Sequence, residues 1–159
     1  MNAPDTWRPG WDDELRGAGC VLCPTRDVDR DDYGVRVFTG RWADAFLSTR
    51  GQVPGYTVAV WNGGHVAEPT DLDDEQAAGY WLEVLRVGRA LEAVYRPRKM
   101  NYETLGNSVP HLHTHLLPRP AGDAFPNGPL PWHVIDGGRQ DPDAVEHGVR
   151  ELRRLLGQS

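Results

Sequence analysis

Apolar and polar positions follow a short period over the first third of the chain. GVRVF at 34–38, ADAFLS at 43–48 and YTVAVW at 56–61 read as β-strands, and the Gly-rich or polar turns between them predict antiparallel hairpins. The period then lengthens. Ala77, Trp81, Val84, Leu91 and Tyr95 recur at near-helical spacing and predict one long helix. Thr70 is its expected N-cap, with Asp73 at the capping-box position. Asp71, Asp73, Asp74 and Glu75 place negative charge where the helix dipole favours it. Arg96-Pro97 stops the helix, because proline cannot continue the hydrogen-bond ladder. Gly79 and Gly88 weaken it slightly and allow close packing.

KMNYETL (99–105) and HLHTHLL (111–117) return to strand patterning around a GNSVP turn. A final helix is capped by Asp141, carries Pro142 at its first position, buries Val145, Val149, Leu152 and Leu156, and ends at Gly157. Residues 118–138, rich in proline and glycine, read as a long loop of the kind that is often functional. Residues 1–19 read as irregular, with Trp7 and Trp11 packing on the surface, and 24–33 as a charged turn. This order predicts a single α+β domain over 1–159: an antiparallel sheet with a long crossing helix and a C-terminal helix on one face.

At 159 residues the chain is long enough to bury a core without staples. Its net charge of −6 argues against broad binding to nucleic acid, which favours a basic stripe. A small anion remains compatible, since one pocket can be basic. Arg96, Arg98, Lys99 and Arg119 flank the segments of interest, although Arg96 and Arg98 read more simply as a solvated turn after a helix. The polar N-terminus MNAPDTWRPGWDDELRGAG has no apolar h-region, and no run approaches a membrane span, so the expected location is cytoplasmic. A reducing compartment disfavours a disulfide between Cys20 and Cys23. Their C-x-x-C spacing leaves open half a metal site, a redox pair or chance.

The segment SVPHLHTHLLPR at 108–119 carries the chemistry. Residues two apart on a strand share a face, so His111, His113 and His115 line one side. Same-face neighbours lie about 6.6–6.8 Å apart and the outer pair about 13 Å apart. Zinc–nitrogen bonds are only about 2.0–2.1 Å, so one metal cannot take all three on a straight strand. Neutral imidazole can instead attack phosphorus and split one hard displacement into two easier ones. The middle histidine is the natural nucleophile. Gly106, Asn107 and Ser108, just ahead, offer backbone N–H groups and two side chains that can bond phosphate oxygens. His133 and His147 read as surface residues.

The run H-L-H-T-H-L-L resembles the H-φ-H-φ-H-φ-φ pattern of the histidine-triad (HIT) superfamily, with Thr114 as a polar departure. The continuation L-L-P-R-P-A-G-D is similar to the diadenosine-polyphosphate-hydrolase branch, the fragile-histidine-triad-like proteins. The upstream L-G-N-S-V-P is similar to bacterial HIT proteins. The resemblance implies an antiparallel sheet with helices, as a homodimer. It implies that His113 becomes nucleotidylated, that the His111 backbone carbonyl orients the His113 ring, and that His115 contacts phosphate. Asn107 and Ser108 match the polar pair beside phosphate and leaving group, Asn107 standing where many relatives have Gln. Asn101 matches an upstream asparagine that supports the phosphate site. Cys20 and Cys23 resemble the zinc-binding C-x-x-C of bacterial relatives, with His65 and His111 as the matching partners of a structural zinc. His65 lacks the basic neighbours common there in the family. Trp132 matches a C-terminal tryptophan that in some relatives reaches the partner's active site.

The expected activity is therefore that of a nucleotide hydrolase or nucleotidyl transferase acting on dinucleoside polyphosphates or nucleoside phosphoramidates. Two other readings stand beside it: a metallohydrolase with two triad histidines on a catalytic metal, and a zinc-stabilised nucleotide-binding or adaptor protein with little catalysis.

Overall fold

The computed structural model describes residues 6–23 and 27–159. Residues 1–5 of the expected irregular segment, and 24–26 of the expected charged turn, lie outside the described residues. Five strands form one antiparallel sheet: β1 (Gly34–Thr39), β2 (Ala43–Ser48), β3 (Thr57–Trp61), β4 (Lys99–Glu103) and β5 (His113–Arg119). Their spatial order is β1-β2-β3-β5-β4. The α+β architecture predicted from the periodicity is thus present. β5 pairs through Val60 with His113 and Val58 with His115 on one side, and through Glu103 with His115 and Asn101 with Leu117 on the other. The histidine strand is flanked by strands on both sides, and all seven of its residues are buried, Leu116 in one apolar cluster and Leu117 in another.

Besides the short α1 (Trp11–Leu15), two long helices, α2 (Asp74–Tyr95) and α4 (Pro142–Leu156), pack on the same face of the sheet. The core between them joins Tyr80, Val84, Leu91, Val149 and Leu152 to Ala45, Leu47, Ala59 and Leu116. A Cβ on Gly88 would run into the Tyr102 hydroxyl of β4, so the helix needs glycine for this approach. Thr114, polar in an otherwise apolar core position, bonds to Tyr80 Oη and Thr104 Oγ1, each at 2.8 Å. That satisfies a hydroxyl which burial would otherwise penalise.

Four local expectations change. The cap of α2 is Asp73, not Thr70: Asp73 accepts from Gln76 N at 2.8 Å and Gln76 Oε1 accepts from Asp73 N at 3.1 Å. Pro69–Asp71 instead forms a 3₁₀ turn of its own, because proline starts a turn readily. The buried stripe of α2 runs through Tyr80, Val87 and Ala90 rather than the outward-facing Trp81. Residues 118–138 are not all loop: Pro118 and Arg119 complete β5, and Trp132–Asp136 form a helix, α3. The last strand begins at His113, two residues later than its pattern suggests, since His111 N bonds to Val109 O and Leu112 N to Val66 O.

On the sheet face opposite α2 and α4, Val53, Tyr56, Leu117 and Ile135 form a second apolar cluster under α3. This is where the histidines lie.

Candidate active site

His113 and His115 project from alternate positions of β5, with ring centroids 4.9 Å apart and planes at 73°. His113 Nδ1 lies 2.6 Å from the His111 carbonyl. A carbonyl can only accept, so Nδ1 carries the proton and Nε2 keeps its lone pair. Burial holds the His113 imidazole below its usual 6.5, partly offset by that bond. Burial, and then the neighbouring His113, push His115 down to about 4. Both rings are therefore neutral at pH 7. His115 Nδ1 is bonded to Tyr56 Oη at 2.7 Å, and the two rings stack at 5.8 Å. Trp132, which is 58% exposed, stands edge-on to His115, with ring centroids 6.3 Å apart. Trp132 thus meets His115 of its own chain.

His111 is outside this pair. Its ring faces His65 at 5.3 Å, and its Nδ1 lies 3.5 Å from both Cys20 Sγ and Cys23 Sγ. His65 Nδ1 is 3.5 Å from Cys23 Sγ. The four ligand atoms fall within 4.8 Å of one another. Two carbonyls prepare the cluster: His111 Nε2 donates to Trp61 O at 2.8 Å, and His65 Nε2 to Leu15 O at 3.2 Å. Each bond fixes the proton on Nε2 and leaves an Nδ1 lone pair facing the thiols, the outer-shell arrangement of metal-bound histidines. Tetrahedral bonds of about 2.0–2.3 Å to one ion would set ligand spacings of about 3.3–3.8 Å, so the donor set fits a four-coordinate metal. Gly17, at φ 94°, makes room: a Cβ there would lie 2.9 Å from the His65 ring.

Gly106, Asn107 and Ser108 form the turn leading to His111, with Asn107 and Ser108 exposed and Gly106 at φ 78°. Arg8 clamps this turn by donating to Asn107 O at 2.9 Å and Ser108 O at 3.0 Å, while pairing with Glu14 of α1. Asn101 lies on β4, paired with Leu117 of β5. Its amide oxygen accepts from Arg119, which is buried and also bonds Asp123 and the carbonyls of Phe125 and Gly128. The flanking arginine thus pins the 120–128 segment and takes Asn101 as one of its acceptors.

Sequence patterning missed Tyr56 and Arg8. Tyr56 read only as the first apolar residue of a strand, and Arg8 as part of an irregular segment. Neither has a local signal, since their partners lie 59 and 99 residues away in sequence.

With this geometry in hand, the comparisons with known proteins are unambiguous about family. Residues 33–122 match the HIT domain, and the chain belongs to that family. It is 27% identical over 96 residues to the bifunctional bis(5'-adenosyl)-triphosphatase/adenylylsulfatase FHIT of Arabidopsis thaliana, covering 52% of this chain and 53% of that protein. It is 30% identical over 132 residues to the AP-4-A phosphorylase of Mycobacterium tuberculosis, covering 79% of this chain and 63% of that one. The chain thus spans about half to two thirds of the length of these two relatives. Among solved structures, a histidine triad protein of Bradyrhizobium japonicum superposes with a TM-score of 0.72 at 27% identity, over 86% of this chain and 98% of that one. A Zn-bound histidine triad family protein of Mycobacterium smegmatis gives 0.65 at 25% identity, over 88% and 94%. Homologues in this family act on small nucleotides.

Proposed function

We propose that the protein is a nucleotide hydrolase or nucleotidyl transferase that works through a covalent nucleotidyl-His113. The observation carrying this reading is the 2.6 Å bond from His113 Nδ1 to the His111 carbonyl. It leaves Nε2 unprotonated in a buried ring that is neutral at pH 7, which is what an imidazole nucleophile requires. Nε2 attacks the α-phosphorus of a dinucleoside polyphosphate or nucleoside phosphoramidate. An N–P bond forms as the bond from phosphorus to the leaving group breaks, and the leaving group departs with that bond's electron pair and takes its proton from solvent water. Water then attacks the same phosphorus, the N–P bond breaks, and a mononucleotide such as AMP is released. Phosphate in place of water would make the reaction a phosphorolysis, the activity in the name of the Mycobacterium tuberculosis relative. His115 contacts a phosphate oxygen. Gly106, Asn107 and Ser108 line the leaving-group side, held by Arg8, and Asn101, bonded to Arg119, supports the phosphate site.

We further propose that Cys20, Cys23, His65 and His111 hold a structural zinc, supported by the ligand spacing and by the Zn-bound relative. Four protein ligands close the site, so the ion supplies rigidity. A homodimer is supported by β4, an open sheet edge that carries the exposed Tyr102, with exposed Leu105 just beyond it. We take the chain as a single domain, with α1, α3 and α4 packed around the matched residues 33–122. No helix among the described residues is long and apolar enough to cross a membrane. Two reduced thiols suit a cytoplasmic location.

Intact-protein mass spectrometry after brief mixing with diadenosine tetraphosphate, without acid, tests the mechanism. An AMP-sized adduct on the wild type that is missing in His113→Ala is the expected result. AMP release by His113→Ala at the wild-type rate would overturn it.

A further inference from the structure

We propose that Tyr56 is a positioning residue that sets the tautomer of His115: its hydroxyl donates to Nδ1, so the ring proton sits on Nε2, the nitrogen left for the substrate's phosphate. The inference rests on the reading of His115 as the phosphate contact beside nucleophilic His113.

The geometry is specific. Tyr56 Oη and His115 Nδ1 are 2.7 Å apart, both side chains are buried, and the rings stack within 18° of parallel. Tyr56 is itself fixed, packed against Val53, Leu117 and Ile135, with its backbone bonded to Val53 O and Ser48 N. Its hydroxyl has one acceptor among the described residues, His115 Nδ1. A phenol carries a proton that needs an acceptor when buried, and this one holds it tightly: burial, then Asp136 and Glu103, push its pKa up. The opposite arrangement, with Nδ1–H donating to the tyrosine oxygen, would strand the phenolic proton. It would also give His115 a bare lone pair at Nε2, beside that of His113, where an anionic substrate has to bind. With Tyr56 as donor the two neighbouring histidines become complementary. The His111 carbonyl selects the Nδ1–H form of His113, a nucleophile, and the Tyr56 hydroxyl selects the Nε2–H form of His115, a neutral hydrogen-bond donor. One strand thus carries two imidazoles of opposite tautomer, each set by the partner of its Nδ1.

The test reads the tautomer directly. Two-bond ¹H–¹⁵N correlation spectra of the labelled full chain, with His115 assigned by His115→Asn, should show a protonated Nε2 and a bare Nδ1 on His115 of the wild type. Tyr56→Phe keeps the packing ring and should move those signals toward a tautomer mixture. Its kcat on diadenosine tetraphosphate should fall about tenfold, the scale of one lost hydrogen bond, with KM nearly unchanged. A wild-type His115 protonated at Nδ1 would overturn the proposal, and that result needs no variant to fold. So would a Tyr56→Phe spectrum with unchanged His115 signals, or an unchanged kcat despite a tautomer shift. A wild type with the expected tautomer that turns over no nucleotide would support the assignment and count against the hydrolase reading instead.

Discussion

His111 serves two neighbours at once: its backbone carbonyl accepts from His113 Nδ1 at 2.6 Å, while its imidazole faces the thiols of Cys20 and Cys23 at 3.5 Å. One residue therefore joins the metal-ligand cluster to the nucleophile, and anything that moves the His111 ring is felt at His113.

Metal removal should accordingly reach both stability and activity. Burial and the adjacent Cys20 push the Cys23 thiol up to about 11, so an incoming ion must displace its proton. Zinc at about 100-fold above its Kd would contribute about 2.7 kcal/mol. Stripping it with a chelator, or Cys23→Ser, should lower the melting temperature by about 5–10 °C for a chain of this length. Differential scanning calorimetry checks the shift, and an unchanged melting temperature would remove the structural-zinc reading.

The pH dependence follows from burial. Nucleotidylation needs the lone pair of neutral His113, whose pKa lies below 6.5. The single-turnover rate should be flat from neutral pH upward and fall only below about pH 6.5. Stability has the same sign. His115 titrates at about 4 when folded against about 6.5 unfolded, so between those values the unfolded chain binds more protons. Its contribution is complete above pH 6.5 and lost progressively toward pH 4, amounting to about 3 kcal/mol. Denaturant titrations across that range measure it.

Thr114→Val removes a buried hydroxyl shared by Tyr80 and Thr104. Tyr80 Oη keeps only the Ala59 carbonyl, at 3.3 Å. The expected loss is about 1–2 kcal/mol in urea unfolding, with the m-value unchanged. The companion Tyr80→Phe, which removes one of the two hydroxyl partners of Thr114, should lower the cost of Thr114→Val in a double-mutant cycle.

Arg8→Ala frees the carbonyls of Asn107 and Ser108. Its exposed pair with Glu14 adds little to stability, so the fold should persist. A loosened turn misplaces the leaving-group side, and steady-state kcat should drop by about three- to tenfold. Equal kcat for Arg8→Ala and wild type would show that the clamp is dispensable.

Much of this architecture was legible in the chain itself. Hydrophobic periods of two and of near four were enough for the five strands, the two long helices and the shared helix face. The cap at Asp141, Pro142 and the stop at Gly157 are local signals and match the structure. The H-x-H-x-H spacing pointed to His113 and His115, while the cluster of Cys20 and Cys23 with His65 and His111 was implied by the family resemblance and not by the C-x-x-C spacing. Capping and loop content were read less well, because Asp73 competes with Thr70 for the same helix start and because α3 is stabilised by Ile135 packing on a distant strand. Periodicity and residue type thus determined the elements and the candidate site residues. Only the tertiary structure decided what faces the rings of His111, His65 and His115, since the carbonyls of Trp61 and Leu15 and the hydroxyl of Tyr56 come from far away along the chain.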